Sequence, residues 1–151
     1  MDNFEDGIHK WYASLSGDGA AIIWDGNVSR LGGFSAKATA GDNVGRWAIL
    51  QRVIYKPVTS RLGLETSFCW DGTPTRMSLT GRLYDGTNHS YYGMSHDPAN
   101  NTLDYIDSAG DWQSFATGID LSGGIVDWHI MKLVFDPSTF NYVRAIVDGT
   151  E

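Results

Sequence analysis

Apolar and polar side chains alternate most cleanly between Thr75 and Tyr84. Met77, Leu79 and Leu83 share one face with Gly81, while Arg76, Ser78, Thr80, Arg82 and Tyr84 share the other. A period of two with a single apolar face predicts a half-buried strand of an antiparallel sheet. Leu62 to Trp70 follows the same rule, with Leu62, Leu64 and Phe68 opposite Glu65, Ser67 and Cys69. Trp47 to Tyr55 is rich in apolar and β-branched residues and reads as a strand ended by Lys56-Pro57. Ala20 to Trp24 and Phe34 to Ala40 read as shorter strands, with Gly32-Gly33 and Gly41-Asp42 as breakers.

Three hairpins are expected. Thr75 to Tyr84 turns at Asp85-Gly86 into Asn88 to Met94. Thr102 to Asp107 returns through Ser108-Ala109-Gly110 as Trp112 to Thr117. Asp127 to Phe135 returns through Asp136-Pro137-Ser138-Thr139 as Phe140 to Val147. His96 to Asn101 is expected as a loop, and Asp120 to Gly124 as a turn region able to hold a short helical piece. No amphipathic stretch reaches three helical turns. Six Asp-Gly dipeptides, at Asp6, Asp18, Asp25, Asp71, Asp85 and Asp148, punctuate the chain. Glycine reaches positive φ without steric cost, so Asp-Gly between alternating runs signals a hairpin turn. The total of roughly ten to twelve strands predicts an all-β, two-sheet antiparallel β-sandwich of the jelly-roll kind.

Composition agrees. The 151 residues fit one domain able to bury a core. Eighteen glycines against four prolines suit a turn-rich β protein better than a disordered one. The formal charge of −7, without a Lys/Arg cluster, argues against nucleic acid as the partner. No apolar run is long enough to insert in a membrane as a helix. Cys69 is the only cysteine and lies in an apolar run, where it reads as a small buried hydrophobe. The acidic N-terminus is not expected to be a signal peptide. The chain stops after the turn Asp148-Gly149, so a closing strand is expected to be missing, which would leave an open sheet edge.

Three stretches resemble the concanavalin A-like lectin/glucanase superfamily, and within it the laminin G-like domains. Asp2-Asn3-Phe4-Glu5-Asp6-Gly7, with Trp11 close behind, is similar to the start of many secreted sandwich modules. Gly32 to Gly41 resembles their second strand. Trp128 to Asp136 with Tyr142 to Gly149 looks like the laminin G-like final hairpin. The resemblance touches about a third of the chain. It implies a concanavalin A-like jelly roll that binds glycans or proteins or, in some branches, hydrolyses glycans, and it points to an extracellular, cell-surface or virion-surface setting. Fold alone does not choose between these.

The residues narrow the choice. The glucanase branch carries its carboxylates on one strand as Glu-x-Asp-x-x-Glu, and retaining glycosidases need a pair about 5 Å apart. Glu5, Glu65 and Glu151 are the only glutamates here, and none stands in that pattern. A hydrolase therefore ranks third. His9, His89, His96 and His129 have no zinc-ligand spacing, and no nucleophile-elbow motif accompanies them. A structural Ca²⁺ would draw on Asp2, Glu5 and Asp148 if the termini meet, although turn-forming, solvating acids are the plainer reading. Without that ion no cofactor is expected.

A carbohydrate site would combine aromatic faces with hydrogen-bonding side chains. Arg76, Arg82 and Tyr84 lie on one polar strand face. Arg52, Glu65, Lys132, Tyr142 and Arg144 would join them if neighbouring strands share it, and Tyr91-Tyr92 and Trp112 lie nearby in sequence. The competing reading is an ordinary solvated sheet face with aromatics in the core. Trp24, Trp47 and Trp128 are expected in the core. The first expectation is a non-catalytic carbohydrate-binding module. The second is an assembly or adhesion module of a phage or surface appendage, with a protein partner. The oligomeric state stays open.

Overall fold

The computed structural model describes residues 4–41, 45–53, 61–72, 74–84, 86–87, 89–121 and 123–151. Among these the chain is all-β and contains no helix. Eleven strands are present: β1 Tyr12–Leu15, β2 Ala21–Asp25, β3 Ser35–Thr39, β4 Ala48–Gln51, β5 Leu62–Phe68, β6 Met77–Tyr84, β7 His89–Asp97, β8 Thr102–Ile106, β9 Trp112–Thr117, β10 His129–Asp136 and β11 Asn141–Val147. Every pairing is antiparallel. The chain divides into two compact units, Met1–Lys56 and Pro57–Glu151.

The first unit holds two two-stranded sheets, β1 with β4 and β2 with β3. Trp24 stacks on Phe34 with ring centroids 4.0 Å apart, and its Nε1–H donates to the Phe4 carbonyl at 2.7 Å. Trp24 and Trp47 stay 46% and 47% exposed, which corrects their assignment to the core. Apolar pattern alone cannot tell a buried strand from one in a two-stranded sheet, which shields its side chains less completely. The strand β1 carries no clear alternation and was not legible in the sequence. Of the strand expected over Trp47 to Tyr55, Ala48–Gln51 is formed, and Ile54 and Tyr55 lie outside the described residues.

The second unit carries a three-stranded sheet, β11-β10-β5, and a four-stranded sheet, β6-β7-β8-β9. Their inner faces share one core: Tyr92, Met94 and Leu103 from one sheet meet Met131, Leu133, Phe135 and Val147 from the other, with Leu121. The Tyr92 and Phe135 rings stack nearly parallel, 4.3 Å apart and 5° from coplanar. That stack explains Gly81. It pairs with Tyr92 across the β6–β7 ladder, and a Cβ there would overlap the Tyr92 ring. Burial of this aromatic and aliphatic area is the main force holding the sheets face to face.

All three hairpins form as expected. Strand β7 runs on through His96 and Asp97, which were expected in a loop; the turn occupies Pro98 to Asn101 instead. His96 is only 1% exposed and points inward opposite Leu103, so it extends the buried face. At the last turn Asp148 and Gly149 both take positive φ, and the Thr150 N–H returns to the Val147 carbonyl.

Candidate ligand-binding face

The β6 alternation holds along its full length, with half-buried and exposed positions in strict succession. Its outward residues meet those of β7 rung by rung: Ser78 with Ser95, Thr80 with Gly93, Arg82 with Tyr91, Tyr84 with His89. The β7–β8 ladder covers only Met94 to Asp97. The sheet is therefore four strands wide at the Arg76 end and a two-stranded ribbon at the Tyr84 end.

The wide end is closed by ion pairs. Arg76 reaches across β7 to Asp104 on β8 at 3.0 Å, with Asp97 at 3.5 Å and the Ser95 hydroxyl at 3.2 Å. Its guanidinium lies 5.1 Å from the centre of the Trp112 ring on β9. Asp104 and Ser95 are buried beneath it, and Asp104 also accepts from the Thr102 hydroxyl at 2.9 Å. Asp97 carries opposing influences. Desolvation pushes its carboxyl upward, and hydrogen bonds from the Asn100 side chain and the Ala99 and Asn100 amides, with the Arg76 charge, outweigh that and hold it below the usual range.

The ribbon end is open. Tyr84 is 62% exposed and stacks on His89 at 4.6 Å, and its hydroxyl donates to the Gly86 carbonyl at 2.7 Å. Tyr91 is 49% exposed, and the Arg82 guanidinium sits 4.3 Å over its ring. Among the described residues Arg82 makes no ion pair. One aromatic pair and one cation–aromatic pair are thus displayed on adjacent outward rungs, set by the hairpin register. Such a surface can stack the C–H face of a sugar and donate to its hydroxyls.

The other expected site residues lie elsewhere. Tyr92 belongs to the core, where burial first and the nearby Tyr142 second push its hydroxyl above the ordinary range. Tyr142 also points inward. Its hydroxyl donates to the Ile106 carbonyl at 2.8 Å and accepts from the Gly93 N–H at 3.0 Å. It thereby stands in for a ladder rung at the point where β7 and β8 part. Burial is the main reason its pKa is raised. Glu65 and Lys132 pair across β5 and β10 at 3.1 Å, and Arg144 on β11 meets Glu151 at 3.0 Å. These three share the outer face of the three-stranded sheet, not that of β6. Arg52 belongs to the first unit, where it lies 5.9 Å from the Trp11 ring. Tyr91 and Trp112, expected nearby, do join the β6 face, and so does His89, which was not assigned to it; the Asp-Gly turn signal was the cue for the hairpin that brings His89 there.

Of the proposed calcium ligands, Asp2 lies outside the described residues. Glu5 accepts from the Gly33 and Phe34 amides at 2.8 and 3.2 Å, which ties the opening segment to the Gly32-Gly33 turn. Asp148 accepts from the Ile130 amide at 2.7 Å and from His129 Nδ1 at 2.8 Å. Among the described residues no three His, Cys, Asp or Glu side chains converge as a metal site. The His129–Asp148 pair has the first two members of a hydrolytic triad. His129 Nε2, however, is buried with no hydrogen-bond partner, so among the described residues no hydroxyl bonds to it for activation.

An apolar cleft of about 230 Å³ opens between the two sheets of the second unit, lined by Met94, Tyr105, Phe115, Leu133, Tyr142 and Ala145. Its walls offer no free polar group to orient a sugar. No protein-family model matches the chain, and no curated protein or solved structure matches it significantly.

Proposed function

We propose that this chain is a non-catalytic carbohydrate-binding module of concanavalin A-like, jelly-roll type, with the sugar lying on the ribbon end of β6 and β7. The observation that carries the reading is the exposed pair of rungs Tyr84–His89 and Arg82–Tyr91. It presents aromatic rings and hydrogen-bond donors together, without a buried cavity and without a paired set of catalytic carboxylates. Sugars bind such shallow faces through stacking and a few directed hydrogen bonds, giving modest affinity and rapid exchange.

A thermal-shift screen against a broad glycan panel, with and without Ca²⁺, tests it, because a ligand that binds only the folded state raises stability by mass action. A sugar-specific rise that disappears in the double variant Tyr84→Ala, Tyr91→Ala supports the reading. No rise with any glycan sinks it. A rise with Ca²⁺ alone reads out a structural cation instead. The second reading, an assembly or adhesion module with a protein partner, draws on the exposed Phe115 and Val143 of edge strands β9 and β11. Unpaired edges of this kind accept strands from other chains.

A further inference from the structure

We infer that the ligand of the ribbon end presents a single carboxylate to Arg82, so that its chemical class is a mono-acidic glycan such as one ending in a uronic acid. The inference rests on the carbohydrate reading and sharpens it.

Arg76 and Arg82 leave the same face of β6, and only one of them is available. Arg76 is matched by two carboxylates and a hydroxyl and roofed by Trp112. Arg82 has an aromatic ring under one face and, among the described residues, no anion beside it. A guanidinium carries five N–H donors in a rigid plane whose fork matches the two oxygens of a carboxylate. The central carbon of the Arg82 group lies 4.3 Å over the Tyr91 ring, a contact that anchors the group beside the exposed rungs. Tyr84 lies two residues along the same face, about 7 Å away by strand geometry. One saccharide can therefore touch both.

The number of acidic groups follows from charge. The chain carries a formal −7, and Arg82 is the one uncompensated arginine on this face among the described residues. A polyanion would gain one ion pair here and meet repulsion from the rest of the surface, which reaches over a Debye length of roughly 8–10 Å. A single carboxylate on an otherwise neutral sugar gains the pair without that cost.

The test compares two oligosaccharides that differ only in a terminal glucose against a terminal glucuronic acid, titrated calorimetrically at physiological salt. The acidic member is expected to bind about tenfold tighter or more, as for a hydrogen-bonded charge pair. Arg82→Gln should remove the difference between the two sugars, and Arg82→Lys should restore only part of it. Equal affinity for the two sugars overturns the inference and leaves the carbohydrate reading standing. Tighter binding of a polysulfated glycan than of the mono-acid overturns the single-carboxylate assignment. Absence of binding to either sugar overturns the inference, and absence of binding to every glycan in the panel overturns the carbohydrate reading as well.

Discussion

Arg76, one residue before β6, and Arg82, within it, sit six residues apart along the same outward face, and the sheet uses them in opposite ways. At Arg76 two further strands flank the hairpin and supply Asp104 and Trp112. At Arg82 the third and fourth strands have ended, and among the described residues its guanidinium lies over Tyr91 on the partner strand. A side chain's role is thus set by how many strands lie beside it. Where the sheet is wide, charges are drawn into a closed network. Where it narrows to a ribbon, the same residue type is left for a partner from outside.

The sharpest way to break that contrast is to remove each arginine in turn. Arg76→Met would leave the buried Asp104 carboxylate with only the Thr102 hydroxyl, an uncompensated charge. Breaking such a pair costs about 3 kcal/mol or more. Denaturant unfolding followed by tryptophan fluorescence should show this loss, and a wild-type midpoint in Arg76→Met would mean that the network is ornamental.

Gly81 tests the inner side of the same strand. An added methyl meets the Tyr92 ring, which is itself fixed against Phe135. Gly81→Ala should therefore destabilise by roughly 1–3 kcal/mol through overpacking. Gly63 on β5 provides the control: a Cβ there meets nothing within 4 Å. Gly63→Ala should be neutral or stabilise by about 0.4–1 kcal/mol, because it restricts the unfolded chain. Equal effects at the two glycines would contradict the stacked core.

Acid tests the closed end more gently. The carboxyl of Asp97 is held below its ordinary value of 3.8 in the folded protein. A depressed folded-state pKa contributes stability that is fully present above the unfolded value and is lost as pH falls through the folded one. Asp97→Asn should lower the stability plateau near neutrality and flatten its fall below about pH 4. The acid limb will not vanish. Asp107, depressed first by the Asp111 amide, and Asp136, depressed first by the Ser138 hydroxyl, keep their shares. A profile unchanged by Asp97→Asn would remove Asp97 from the network.

Much of this architecture was legible in the sequence, because period-two alternation encodes which side chains face inward. The β6 faces, the polar set of Arg76, Arg82 and Tyr84, and all three hairpins follow from local pattern and turn chemistry. What alternation does not encode is which sheet a strand joins. Glu65, Lys132 and Arg144 are polar-face residues of good strands, yet β5, β10 and β11 form a different sheet from β6. Nor does it fix parity across a turn. Tyr91 and Tyr92 are adjacent in sequence, and only the rung pairing Gly81 with Tyr92 sends one to the core and the other to the surface. Glu5 was legible as an oxygen donor, but its acceptance of two backbone amides depends on a turn 28 residues away.

The smallest expected effect on stability is the most informative about function. Arg82 is exposed and touches one ring, so Arg82→Gln should change stability by no more than about 0.5 kcal/mol. The same holds for Tyr84→Ala apart from its stack on His89, a pair worth roughly 0.5–1.5 kcal/mol when formed in a core and less where water reaches it. If both variants unfold like the wild type, while Tyr84→Ala loses sugar binding and Arg82→Gln loses the preference for the acidic sugar, the ribbon end exists for its ligand. If Arg82→Gln instead unfolds as readily as Arg76→Met, the two arginines are doing one structural job, and the contrast between the wide and narrow ends of the sheet has no functional meaning.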